Sequence, residues 1–370
     1  MKLTRRTFVL QPTALAIIAL GVGLVAPPAP ARADEGKPTV IRLGVPGVGN
    51  GNRPVIGGSS IANVHLLALL DQEFKPEGIR IEWSFLRGAG PAVNEGFANG
   101  LFDVAAGLGD LPSIIGRAGG LNYRIVAAAG NRQNTYLAVP ADSNLTGVKD
   151  LRGKRVAIFK GTNIQLAIAK ILEANGLGEK DLKVVNMDTA TAKAALTTKD
   201  VDAAFGNYDL LALRDQGVAK IIYDTKGGDA RFLKNSSLLV SQEFIDKYPS
   251  ITKRIVKVLV LGAKYQADLD ADRSKALLLW SKSGFPYAAF KEDFTGASTF
   301  KLRASPLIDD YFISQYTKAI SDSRRFGLIR NDVDLKAWID DSFLKAVLKE
   351  LNLESYWSPA DSNGNVKGSS

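Results

Sequence analysis

The 370 residues carry 47 Lys and Arg against 38 Asp and Glu, with a single His and no Cys. Without Cys there are no disulfides, no thiolate chemistry and no lipid-anchored lipoprotein signal, and one His counts against a protein-ligated zinc site or a His-based triad. The net charge is +9; Lys2, Arg5, Arg6 and Arg32 fall in the first 33 residues, the rest is interspersed, and no basic run carries interleaved aromatics, so nucleic acid is not an expected partner.

Chain order begins with an expected export signal over 1–33. Lys2, Arg5 and Arg6 precede a mostly apolar run from 8 to 25. A Pro-rich break and Ala31-Arg32-Ala33 then supply a small-x-small cleavage pattern. Thr4-Arg5-Arg6-Thr7-Phe8 has the look of a twin-arginine signal. No later stretch is apolar enough to span a bilayer. Length gives roughly two domains.

Strands and helices then alternate. A first strand is predicted over 39–44, followed by a helix that Ser59 and Ser60 can cap and that runs to about 74. A strand over 79–85 turns through Arg87-Gly88-Ala89-Gly90-Pro91 into a helix with Pro at its first position. A buried strand over 102–106 leads through Leu108-Gly109-Asp110 to a helix over 113–118. Strands follow at 123–128 and 135–139. The pattern restarts with a strand over 153–159, a helix from Asn163 to Asn175 and a strand over 182–187. A helix over 189–198, a strand over 201–205, a helix opened by Asn207-Tyr208-Asp209 and a strand over 219–223 complete it. A strand over 237–240 returns. From 242 the chain is predicted helical, near 242–247, 250–270, 273–281, 306–321 and 335–350. The Ser/Asn/Gly-rich end, 356–370, is expected to form a flexible tail.

The order implies two α/β lobes. Lobe 1 is expected to combine 38–136 with 238–355, and lobe 2 to be 137–237, so that two strands cross between them as a hinge. His65 lies in an apolar helix and reads as a packed structural residue. Gly47-Val48-Gly49 lacks the third glycine of a dinucleotide site, because Asn52 stands there.

Four stretches carry a resemblance. They are Ala98-Asn99-Gly100 with Phe102-Asp103-Val104 and Gly109-Asp110-Leu111-Pro112; Asp150-Leu151-Arg152-Gly153-Lys154-Arg155-Val156-Ala157 with Lys160-Gly161-Thr162; Val201-Asp202-Ala203 with Tyr208-Asp209; and Phe326-Gly327-Leu328-Ile329 with Asp334-Leu335 and Lys345 to Leu351. In order, they resemble the periplasmic solute-binding proteins of ABC importers with the type II fold, within that class the aliphatic sulfonate, taurine and nitrate binders. The resemblance implies a periplasmic, monomeric receptor for a small-molecule ligand. It implies a permease and its ATPase at the inner membrane as partners, no cofactor, no metal and no catalytic residues. The loop 45–58 is longer and richer in Gly and Asn than is usual there. A carboxylate-based hydrolase on the same fold, or a sensor subunit, are the alternatives.

In open α/β sheets ligands sit beyond the carboxyl ends of the strands, where helix N-termini favour anions. The turns there nominate Asn50, Asn52, Arg53, Arg87, Gly88, Leu108, Gly109, Asp110, Gly161, Thr162, Asn163, Asn207 and Tyr208 as ligand-binding. Arg87, Arg53 and Arg132 are the arginines able to pair with an oxyanion.

Overall fold

The structure is a computed structural model that describes residues 36–296 and 299–366. The export signal and twin-arginine pattern lie outside the described residues. Among the described residues ten strands are present: β1 (Val40–Val45), β2 (Arg80–Phe85), β3 (Val104–Gly109), β4 (Tyr123–Gln133), β5 (Tyr136–Pro140), β6 (Arg155–Ile158), β7 (Lys183–Asn186), β8 (Ala203–Gly206), β9 (Ala219–Asp224) and β10 (Lys234–Ser241). They form two five-stranded sheets, ordered β2-β1-β3-β10-β4 and β7-β6-β8-β5-β9. In each, three neighbours are parallel (β2, β1, β3 and β7, β6, β8), while β10 and β5 run antiparallel to both of their neighbours. The expected two-lobed α/β fold is therefore observed. The parallel strands are apolar because helices cover both faces; Ile41, Leu43, Val45, Val156 and Ile158 are at most 1% exposed.

The chain passes from the first sheet to the second between Gln133 and Tyr136 and returns between Asp224 and Lys234. The two crossings are tied to each other. Thr135 N–H donates to Thr225 Oγ1 at 2.9 Å and Thr225 N–H to the Thr135 carbonyl at 3.1 Å. Buried Lys234 adds Nζ donation to the Asn134 carbonyl and to Thr135 Oγ1, the latter at 2.9 Å.

Several helices differ from expectation for identifiable reasons. Ser59 caps as predicted, accepting from Ala62 N–H, but the helix stops at Leu66 because Ala68 takes a left-handed φ of 51°; a second helix runs Leu69–Phe74. The helix predicted at 306–321 is Asp310–Arg325, capped by Asp309, because the Pro306 carbonyl accepts from Ala128 N–H of β4. The predicted 335–350 helix splits into Leu335–Trp338 and Ser342–Glu350, since Ile339 bridges to Ile125 and Asp340 N–H bonds the Ile125 carbonyl.

The flexible tail over 356–370 is corrected as far as Val366. Trp357 is 1% exposed in the core beside the first sheet, and Ala360 is 2% exposed. Ala360 N–H donates to Asp309, Arg132 donates to the Gly364 carbonyl at 2.6 Å, and Ala360 bridges to Val366. Polar composition suggested fraying; two buried apolar residues, Trp357 and Ala360, and the hydrogen bonds around them override it.

Candidate functional site

A cavity of about 340 Å³ lies between the sheets. One wall comes from residues around β1, β2 and β3: Val45 to Asn52, Ile56 to Ser59, Arg87, Ala89, Gly90 and Gly109. The facing wall comes from the second sheet: Phe159, Thr162 to Ile164, Met187 to Ala190, Lys193 and Asn207 to Asp209. The crossings contribute Gln133, Asn134 and Ser236, and the C-terminal helices contribute Phe285, Asp293 and Arg303.

Four helices of useful length start at this cavity: Ala89–Ala98, Asp110–Ala118, Asn163–Ala174 and Thr189–Thr197. The first turn of a helix leaves N–H groups without helical partners and carries partial positive charge. The Thr189–Thr197 helix is capped by Asp188, which accepts from Ala190 and Thr191 N–H. The other three have no capping hydrogen bond from their N-cap side chains. Thr162 uses its hydroxyl to donate to the Phe159 carbonyl at 2.7 Å instead.

Glycine lets the two walls meet. A Cβ on Gly109 would sit 2.7 Å from Asn163 Cβ, and one on Gly161 2.9 Å from Pro91 Cγ. Gly161 also has a φ of 75°, which L side chains rarely adopt.

Each cation lining the cavity among the described residues faces a carboxylate. Arg87 pairs with Asp188 at 3.0 Å, Lys193 with Asp209 at 3.3 Å and Arg303 with Asp293 at 2.9 Å. Burial works against the Asp188 carboxylate, but bonds from Thr191 and Arg87 outweigh it and hold its pKa below the usual range. Burial likewise opposes Asp293, yet Arg303 and the hydrogen bonds from Asn134 and Tyr136 keep it ionised. Burial pushes Asp209 up despite Lys193. Burial, reinforced by Asp209 and Asp293, pushes the Tyr208 phenol up, so it remains a hydrogen-bond donor.

Of the nominated residues, Asn50, Asn52, Arg87, Gly109, Thr162, Asn163, Asn207 and Tyr208 line the cavity. Five do not. Arg53 lies over Gly284, with its guanidinium toward the Lys282 carbonyl. Gly88 is the N-cap one residue behind Ala89 and faces Ala92. Leu108 is wholly buried in the core, the opposite side of β3 from Gly109. Asp110 is turned away: one oxygen takes Leu111 N–H and the other faces Asn235 N–H. Gly161 directs its N–H to Gln165. Arg132, also considered for an oxyanion, binds the tail at Gly364 and stacks on Tyr311. His65 packs against Trp83 and Phe85 away from the cavity, and burial lowers its pKa.

Sequence reasoning missed Asp188, Lys193, Asn134, Phe285, Asp293 and Arg303. Asp188 had a local signal, an Asp between a strand and a helix, the N-cap pattern that the other turns were searched for. Asp293 and Arg303 had none, because only tertiary packing brings the C-terminal helices here. Among the described residues, no cluster of three or more His, Asp and Glu could hold a metal ion, and no helix is long and apolar enough to cross a membrane.

Residues 74–269 match the family described as NMT1/THI5 like. The periplasmic sulfonate-binding protein SsuA from Methylobacillus flagellatus KT is 30% identical in sequence. Its structure aligns with a TM-score of 0.74, covering 90% of this chain and 99% of its own. An aliphatic sulfonates-binding protein of Bacillus subtilis (strain 168) is 25% identical over 288 residues, 76% of this chain and 82% of its own. The alkanesulfonate-binding protein SsuA from Xanthomonas axonopodis pv. citri, bound to MOPS, shares the fold. Its TM-score is 0.69 at 21% identity, over 82% of this chain and 99% of that one.

Proposed function

Because the chain belongs to the NMT1/THI5-like family, we propose that it is the solute-binding component of an ABC importer, capturing a small sulfonate-like organic anion between its lobes. The observation that carries this reading is the pair of helix N-termini, Ala89–Ala98 from one lobe and Asn163–Ala174 from the other, that open on one cavity with no carboxylate in their first turns, where the side-chain cations are already neutralised. Backbone N–H groups are then the unneutralised positive feature, and they suit a compact oxyanion. Ile56, Ile61, Phe159, Ile164, Met187 and Phe285 supply apolar wall for an organic remainder. A cavity of about 340 Å³ is larger than a bare nitrate needs and is in the range of small organic ligands. The sulfonate binders similar to this chain support the same ligand class.

In this reading the protein is exported through residues 1–33, cleaved near Ala33, and acts in the periplasm as a monomer. Lobe 1 and lobe 2 meet through the crossings at 133–136 and 224–234. Ligand that touches both lobes favours the closed form by its differential affinity for it. The closed form is what the permease and its ATPase receive. The protein does no chemistry on its ligand.

A thermal-shift panel on residues 34–370 tests the reading. Alkanesulfonates, taurine, nitrate, sulfate, carboxylates and neutral amino acids are compared. A ligand at about 100 times its dissociation constant adds roughly 2.7 kcal/mol. A selective rise with a sulfonate supports the proposal. A rise only with neutral amino acids, or turnover of the ligand during incubation, contradicts it.

A further inference from the structure

Arg303 reaches the cavity from the helix Phe300–Ala304, beside the crossings. Its side chain is only 5% exposed. Nη1 donates to the Asp293 carbonyl at 3.0 Å and lies 2.9 Å from its carboxylate. The guanidinium also sits over the Phe294 ring, 3.6 Å from the centroid. Among the described residues no group accepts from Nε or Nη2, and neither atom is sealed from the cavity's solvent. Asp293 is in turn held by Asn134 Nδ2 at 3.0 Å and the Tyr136 hydroxyl at 2.8 Å, both on the first crossing. The arginine is thus locked in place, and its fork is fixed before any ligand arrives.

The neighbouring polar groups are engaged. Gln133 Nε2 donates to Ser236 Oγ at 3.1 Å, Ser236 Oγ donates to the Gly130 carbonyl, and Asn134 Nδ2 is held by Asp293. An acceptor in the cavity would take these donors in place of water. Arg303 and Asp293 already neutralise each other, so the matching acceptor is an uncharged oxygen rather than a second anion.

We propose that Arg303 is a specificity-determining residue that binds an uncharged oxygen on the organic part of the ligand, so that the preferred ligand is an oxygen-bearing alkanesulfonate rather than a plain one. This rests on the sulfonate reading above and adds the second group that the site recognises. Through Asp293 the same contact bears on Asn134 and Tyr136, and so on the first crossing.

The test compares linear C4 to C6 alkanesulfonates with isosteres in which one chain methylene is replaced by an ether oxygen, the position being scanned. Wild-type protein is expected to prefer one ether isostere by about tenfold or more, the worth of a hydrogen bond to a charged donor. Arg303→Lys keeps a charge beside Asp293 but lacks the planar fork; its ratio of ether to plain affinity is expected to fall to about one, whatever the change in plain-sulfonate affinity. Circular dichroism checks its fold. If that variant does not fold, a crystal structure of wild type with the preferred isostere gives the same reading, with the ether oxygen expected about 3 Å from Nε or Nη2. Plain sulfonates binding with no ether preferred at any position, a preference surviving in Arg303→Lys, or an ether oxygen away from Arg303 overturns the assignment alone. Failure of both series to bind overturns the sulfonate reading and this one with it.

Discussion

Arg87 and Asp188 meet across the cavity at 3.0 Å, one following β2 and the other following β7. Thr191 Oγ1 lies 3.2 Å from the same Arg87 nitrogen and donates to Asp188 as well. The arginine that sequence singles out for an oxyanion is therefore engaged by a carboxylate of the facing wall. Asp188→Asn keeps a capping residue at this position and frees Arg87. It is expected to tighten sulfonate binding by about twofold to fivefold, on the scale of one partly exposed ion pair. Arg87→Ala leaves Asp188 unpaired in the cavity and is expected to weaken binding about tenfold. Calorimetric titration of both variants checks the pair. Weaker binding by Asp188→Asn contradicts this assignment.

Gly109 and Asn163 stand at facing helix starts, with room for no Cβ between them. The φ of Gly109 is −64°, so Ala is tolerated by the backbone and only the approach of the walls is penalised. Gly109→Ala is expected to lower ligand affinity more than tenfold while shifting the melting temperature by only a few degrees. Small-angle scattering with saturating sulfonate is expected to show a more open form than wild type. A variant that binds and closes like wild type contradicts the contact.

Lys234 makes the hinge region sensitive to pH. Lysine ordinarily titrates at 10.5, and burial pushes Lys234 down to about 7, with Arg303 adding to the fall and Asp293, Asp110 and Asp209 opposing it. Between these values the unfolded chain holds a proton that the folded chain lacks. Stability should therefore rise as pH climbs from about 7 toward 10.5, and this contribution should flatten below 7, where both states are protonated. Its steepest slope is about 1.4 kcal/mol per pH unit. Lys234→Met is expected to remove that slope in urea melts taken at several pH values. Identical slopes in the two proteins contradict the assignment.

Truncation after residue 355 removes Trp357 from the core and the Arg132–Gly364 bond. Loss of a buried Trp costs about 3–5 kcal/mol. Thermal melts of the truncated chain and of Trp357→Ala are expected to show a similar large loss; unchanged melting would mean that the tail does not pack as described.

The parts of this molecule that sequence makes legible are those with local signals. Apolar strands followed by Gly-rich turns gave the β–turn–α units, so Thr162, Asn163, Gly109 and Tyr208 could be nominated from the turns alone. Leu108 and Asp110 show the limit of that reasoning. Both flank Gly109, but strand alternation buries Leu108, and Asp110 folds back on Leu111 and Asn235. Side-chain direction, not nearness in sequence, decides which residue faces the ligand. The Asp293–Arg303 pair lies ten residues apart on separate helices, and its place beside Asn134 depends on how the C-terminal segment packs, for which no short pattern exists. The split at Ile339 has the same origin: a single bridge to Ile125 overrides helix propensity.

The most direct test of the central claim is calorimetric titration of residues 34–370 with butane-1-sulfonate and with the uncharged isostere butane-1-sulfonamide. Saturable one-to-one binding of the sulfonate, at least about tenfold tighter than the sulfonamide, is the result expected if helix N-termini hold an anion. Equal affinity for the two, or binding of the sulfonamide alone, would contradict the account.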